Sequence, residues 1–300
     1  MISRIAIALL LVAAPAAAQP PAAKYGWAPK PVSAPYIAPN RAHWKLADLL
    51  KAHRTQPSWS QTLVRDPDGL TGAYIQTAPG ETSRKVMYSD TVVFFIVQSG
   101  QLRVVIDGIE PFIATKGFLV QIPSLRFFQV ETLGNTPALR FEITQTQAPP
   151  IYAIDEKPAP LAGRTYARVG YYSGPAAYDG NKPYIDYNKE MTSGPAMGVR
   201  AVQDDFVSAS IARGAAAQPS KSDKGHFHIG SSEVWFVMEG AVDYRIEGQP
   251  GITAHQGDIV YAPAGRWHRV SLGGSGMAAH VSIHPVGNAL EALDPGQFAP

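Results

Sequence analysis

The stretch Gly225-His226-Phe227-His228-Ile229-Gly230-Ser231-Ser232-Glu233, running on as Val234-Trp235-Phe236-Val237-Met238-Glu239-Gly240, decides the fold. Successive side chains of an extended strand alternate between its two faces, so His226 and His228 point the same way. Glu233 lies five residues beyond His228, an odd step that would turn its carboxylate to the far face unless Gly230-Ser231-Ser232 bends the backbone. A second cluster, Gly257-Asp258-Ile259-Val260-Tyr261-Ala262-Pro263-Ala264-Gly265-Arg266-Trp267-His268, reads as strand, turn, strand and brings a further imidazole. Three neutral imidazoles and one carboxylate carry a single negative charge. That set suits one divalent transition metal (Mn, Fe, Cu, Ni or Zn) without choosing among them. His226, His228, Glu233 and His268 are the expected metal ligands, with Glu233 also the candidate catalytic group.

Working outward, the same texture occurs twice. From Leu63 to Thr144 and again from Val207 to His284, short β-branched and aromatic runs are broken by Gly, Pro and Asp-Gly, as in antiparallel strands joined by tight turns. A shift of 140 residues places Val97 on Val237, Gly100 on Gly240, Ile106 on Ile246, Gly108 on Gly248, Gly117 on Gly257, Pro123 on Pro263 and Val130 on Val270. Coinciding turn glycines and strand residues mean that one β-domain is built twice. The copies differ at the ligands: Val86, Tyr88, Val93 and Phe128 stand where His226, His228, Glu233 and His268 stand in the second. The first copy is therefore expected to be structural, filled by packing rather than by an ion, or else lined to bind an apolar ligand without metal.

These residues resemble a known family. His226, His228, Glu233 and Gly240 match the first cupin motif, H-x-H-x(3,4)-E-x(6)-G, and Gly257, Pro263, Gly265 and His268 match the second, G-x(5)-P-x-G-x(2)-H. The glycine that usually opens the first motif is Ser220, and the asparagine that often closes the second is Leu272; neither is a ligand. The resemblance implies an all-β chain of two tandem cupin barrels (double-stranded β-helix, or jelly-roll) with short flanking helices. The expected layout is a signal peptide at 1–18, an arm and short helix at 19–59, and a first barrel without ligands at 60–146. An inter-domain segment at 147–195, a metal-binding barrel at 196–287 and a tail at 288–300 complete it. The arm is rich in Pro and Ala up to residue 42, and Leu46, Leu49 and Leu50 then recur at helical spacing.

Composition narrows the partners. The formal charge is +2 with no block of Lys or Arg, which lacks the electrostatic footprint of a nucleic-acid binder. Arg4, the apolar run Ile5–Ala14 and small residues at Ala16 and Ala18 fit a secretory signal cut before Gln19. The run is too short to span a bilayer, and no later run is long enough. An exported protein, periplasmic or secreted, is expected, with no membrane contact after signal removal and with small molecules as ligands. With no cysteine, disulfides and thiolate chemistry drop out.

Further pocket candidates are Trp235, which shares the face of Glu233, and Tyr261, Arg266 and Trp267, which flank the second motif. His280, Ser282 and His284 alternate with Ala279, Val281 and Ile283, and the default places the apolar set inward. Activities implied by the resemblance include dioxygenases, decarboxylases, isomerases and lyases, alongside non-enzymatic binders. Oxalate decarboxylases usually keep ligands in both halves, so the stripped first copy argues against that activity. The leading expectation is a metal-dependent oxygenase, decarboxylase or lyase acting on a small organic acid or phenolic compound; the alternative is a non-catalytic metal-containing binding protein. A storage role is disfavoured by composition. Pairing through barrel edges makes a homodimer, or one chain whose halves mimic it, compatible with the layout.

Overall fold

The computed structural model describes residues 27, 29–30, 32–33, 35–66, 69–146, 148–160, 162–163, 165–172, 182–217, 223–285 and 291–292. The expected signal peptide at 1–18 lies outside them. In chain order, β1 (His43–Trp44) and α1 (Leu46–Ala52) precede β2 (Trp59–Arg65), β3 (Leu70–Thr77), β4 (Val86–Met87), β5 (Val93–Ser99), β6 (Gln101–Ile106), β7 (Ile109–Thr115), β8 (Phe118–Ile122), β9 (Phe128–Leu133), β10 (Ala138–Gln145) and β11 (Ile151–Tyr152). Then β12 (Tyr184–Asp186) and α2 (Tyr187–Glu190) precede β13 (Ala196–Gln203), β14 (Val207–Ala215), β15 (His226–Phe227), β16 (Glu233–Glu239), β17 (Ala241–Ile246), β18 (Ile252–His255), β19 (Ile259–Ala262), β20 (His268–Gly273), β21 (Met277–Pro285) and β22 (Glu291–Ala292).

The strands form four antiparallel sheets, two to a barrel. The first barrel closes a six-stranded sheet, β12-β8-β5-β10-β3-β2, over a five-stranded one, β11-β4-β9-β6-β7; the second closes β1-β19-β16-β21-β14-β13 over β18-β17-β20-β15-β22. The all-β, two-barrel class read from the sequence is what the chain adopts. Strand registers repeat at the same 140-residue shift: Val86 opposes Phe128 as His226 opposes His268, and Val93 opposes Ile122 as Glu233 opposes Ala262. Gly100 and Gly240, in the hairpins that follow β5 and β16, have φ of 78° and 65°. A Cβ at either would fall within 2.5 Å of neighbouring backbone, so only glycine fits both turns.

Several short edge strands come from outside the spans expected for the two barrels. The arm supplies β1 to the second barrel, where His43 pairs with Val260, and the segment at 147–195 supplies β11 and β12 to the first, where Ile185 pairs with Leu119. The tail at 288–300 contributes β22, which pairs with β15. The two halves thus exchange edge strands reciprocally. These pieces are two or three residues long and carry no periodicity, which hides them from a pattern reading. In α1, Leu46 and Leu49 are buried, whereas Leu50 faces outward, 42% exposed.

The long sheets bury both faces. In β5, Phe94 and Ile96 join a cluster at the seam between the barrels, while Val93, Phe95 and Val97 fill the first barrel's interior. In β16, Val234, Phe236 and Met238 face the seam and Trp235 and Val237 face the second interior. Phe141 and Phe236 meet across the seam at 5.9 Å between ring centroids, and the Tyr74 hydroxyl donates to the Gly257 carbonyl at 2.5 Å. Burial on both faces explains why these strands read as continuous apolar runs rather than as an alternation.

Candidate metal centre

Each expected ligand is delivered by a different local device. Register puts His226 of β15 directly opposite His268 of β20. Gly225, at φ 77°, lets the chain pass where a Cβ would lie 2.5 Å from the His268 carbonyl and 2.7 Å from the Trp267 ring. The Gly265 amide donates to the His228 carbonyl at 2.7 Å, which ties the second motif's turn to the strand carrying the first. The backbone bends through Gly230-Ser231-Ser232, and Glu233 opens β16 on the interior face. The four side chains expected to converge do so: one ligand atom from each lies within 4.8 Å of the others, and among the described residues no other such cluster occurs.

The separations fit a cation. Glu233 Oε2 lies 3.0 Å from Nε2 of His228, 3.0 Å from Nε2 of His268 and 3.8 Å from Nε2 of His226, and the two facing imidazole nitrogens of His226 and His268 are 2.9 Å apart. Metal bonds of about 2.1 Å meeting near right angles set neighbouring ligand atoms about 3 Å apart. Nδ1 of His268 lies 3.0 Å from the Arg266 carbonyl; donating to it leaves Nε2 with its lone pair toward the centre. Burial would raise the Glu233 pKa, but the three imidazoles gathered around it outweigh that and hold the carboxyl well below the usual range. His228, Glu233 and His268 are buried, whereas the His226 side chain is 24% exposed and marks the open side.

Around the ligands the interior is more polar than the default rule allowed. Ala279, Val281 and Ile283 face the seam, so His280, Ser282 and His284 face the metal side, the reverse of the expected orientation. The apolar-inward rule presumes one dry face; here the outer face is drier still, pressed against the other barrel. The Ser282 hydroxyl donates a short hydrogen bond to Oε1 of Glu233, and the His284 ring stacks on His228 at 6.0 Å. Trp235 stands edge-on to His268 at 5.0 Å and packs on Tyr244 at 5.3 Å. One layer deeper lies His280, its ring 6.4 Å from that of Tyr244, and burial lowers its pKa to about 4. Sequence reasoning passed over Tyr244, although it sits two residues from Ile246, the partner of His268, and so on the same face.

Two pocket candidates lie elsewhere. Tyr261 shares its face with Ile259, points into the seam and meets Tyr36 at 6.1 Å. Arg266 is buried outside the barrel, donating from Nη1 to the Glu247 carbonyl at 2.6 Å with its guanidinium over Tyr36. Both belong to the docking of the arm. Trp267 is likewise buried, with Nε1 donating to the Lys224 carbonyl at 2.8 Å.

In the first barrel Val93 and Phe128 are buried in the apolar interior, with Val86 and Tyr88 packed against it. The positions matching His280 and Ser282 hold Arg140 and Glu142, paired at 2.9 Å, with the guanidinium over the Phe95 ring.

Residues 215–284 match the family model described as the cupin domain. No curated protein matches the chain by sequence. Among solved structures, a salicylate 1,2-dioxygenase from Pseudaminobacter salicylatoxidans superposes with a TM-score of 0.57 at 14% identity, over 81% of this chain and 82% of that one. Oxalate decarboxylase from Bacillus subtilis superposes with a TM-score of 0.52 at 13% identity, over 85% and 78%. A cupin 2 conserved barrel domain protein from Leptotrichia buccalis gives 0.50 at 11%, over 76% and 88%. Residues 215–284 thus match a cupin domain, the two-barrel fold of the chain is similar to that of these structures, and the later barrel carries the four candidate metal ligands.

Proposed function

We propose that the protein is an exported, metal-dependent enzyme of oxygenase, decarboxylase or lyase type that acts on a small organic acid or phenolic compound at the C-terminal barrel. The observation that carries this reading is a four-ligand centre buried on three sides and open at His226. His226, His228, Glu233 and His268 would hold one divalent transition metal. Such an ion, once bound, polarises a carbonyl, lowers the pKa of bound water or, if redox-active, engages dioxygen.

The chain's own residues set the conditions for that chemistry. Glu233 stays ionised under its three imidazoles, and Ser282 fixes the oxygen that does not face them. The indole of Trp235 covers one side of His268 and keeps water from it. His284, stacked on His228, is the neighbouring polar ring that would orient a substrate oxygen. Export is supported by the signal pattern at 1–18. Likeness in fold to a dioxygenase and a decarboxylase supports a small-molecule substrate.

Elemental analysis of protein from its native compartment, followed by turnover of carboxylic and phenolic substrates before and after chelation, tests the reading. About one transition-metal ion per chain and chelator-sensitive turnover are expected. Unchanged stability and persistent turnover after complete metal removal would sink it. A non-catalytic binder is the second reading, favoured by the fact that protein groups alone supply four ligands. It predicts loss of thermal stability on chelation and no turnover with any metal.

A further inference from the structure

Tyr261, turned away from the metal, lines a different space. A cavity of about 790 Å³ opens at the seam between the arm, the end of β2, the ends of β3 and β10 and the turn after β19. That volume lies in the range of small-molecule sites. Its lining includes the apolar surfaces of Pro35, Pro39, Tyr261 and Pro263 and the hydroxyl-bearing side chains Thr71, Thr144 and Thr146. The Thr71 and Thr146 hydroxyls bond each other at 3.0 Å, which leaves the pair one further O–H to donate.

Charge at this cavity is arranged in a specific way. The Arg65 backbone is pinned to Asn40 by two hydrogen bonds of 2.9 and 2.7 Å, but its exposed guanidinium makes no hydrogen bond or ion pair with any described residue. Asp66, the next residue, is buried at the same lining. An unpaired fork of donors suits a carboxylate, and a buried carboxylate suits a hydroxyl donor. A ring held between the two would have proline and tyrosine side chains in the same lining to pack against.

We propose that this cavity is a second ligand site, separate from the metal centre, that binds a phenolic acid with its carboxylate on Arg65, its hydroxyl toward Asp66 and its ring against Tyr261 and Pro263. The proposal does not depend on the metal or on catalysis. The turn that contributes to this lining, Pro263 to Gly265, also holds the His228 carbonyl through the Gly265 amide. An occupant would therefore sit directly behind the metal-binding strand.

Calorimetric titration of the full chain with 4-hydroxycinnamate tests this. One molecule per chain is expected to bind the His226→Ala/His268→Ala double variant, in which the metal site is dismantled, and the wild type is expected to bind at least that one. Arg65→Gln should weaken binding by roughly 10-fold or more, as should replacing the probe by cinnamate, which lacks the hydroxyl, or phenol, which lacks the carboxylate. If Arg65→Gln fails to fold, Thr144→Val in the same lining serves instead, with an expected loss of several-fold. No binding to the double variant, or equal affinity in the double variant with and without the cavity substitution, would overturn the site. Binding to a chain that proves unable to hold metal would leave this site standing and remove the enzyme reading alone.

Discussion

Opposite Ile106 in the first barrel stands Phe128, and opposite Ile246 in the second stands His268. The same contrast recurs at Val86 and His226, at Val93 and Glu233, and at Arg140 and His280. Backbone, register and turn glycines are shared, so whether a barrel is a plug or a metal cage is decided by a handful of inward side chains. The first barrel keeps a positive charge inside, but a permanent one: the Arg140 guanidinium, paired with Glu142 and stacked over Phe95. The second has instead the four side chains that could hold an ion.

The most severe way to break this comparison is to separate the halves. Residues 196–300 expressed alone lack β1 and expose the seam face of β16 and β21, so the near-ultraviolet circular dichroism of a packed core should be absent; a native-like spectrum would show that the barrels are independent. Next come single exchanges at matched positions. Phe128→Ala should cost about 3–5 kcal/mol in denaturant unfolding and leave metal content unchanged. His268→Ala should lower metal affinity by more than roughly 100-fold and barely alter the stability of the metal-free chain. The reverse pattern in either variant would contradict the assignment of one barrel to packing and the other to an ion.

A pH experiment sharpens the contrast between Arg140 and His280. Burial lowers the His280 pKa from 6.5 to about 4, so between those values the unfolded chain binds a proton that the folded chain refuses. Stability from this group therefore falls as pH drops from 6.5 toward 4, by up to about 3 kcal/mol. His280→Gln should flatten that slope, measured as melting temperature against pH on metal-free protein, whereas Arg140→Gln should leave it in place. The smallest expected effect is at Ser282, which orients Glu233: Ser282→Ala should weaken metal binding by roughly 10-fold in a competition titration. An unchanged affinity would make that hydrogen bond incidental.

Much of this was legible in the sequence, and the gaps have physical causes. The strands, the repeat and the four ligands were readable because turn glycines, two-residue periodicity and fixed motif spacing are all local signals. The orientation of β21 was not, because it depends on a seam that exists only once both barrels have packed together. The inward direction of Val260 rather than Tyr261 follows from the pairing of Glu233 with Ala262, a register that only the folded sheet supplies. The exchanged strands escaped because a two-residue pairing leaves no pattern to find.

That exchange also imposes an order on synthesis. His43 and its partner Asp258 are separated by 215 positions, so a ribosome emits one edge of the metal barrel long before the strands that receive it. The first barrel must likewise wait for Ile185 before its own edge is closed. Neither half can finish while the chain is still short, and an emerging chain stays incompletely closed until nearly all of it is available. For a protein that we propose to cross a membrane, such delayed closure would keep the polypeptide threadable until it reaches the compartment where its metal is acquired.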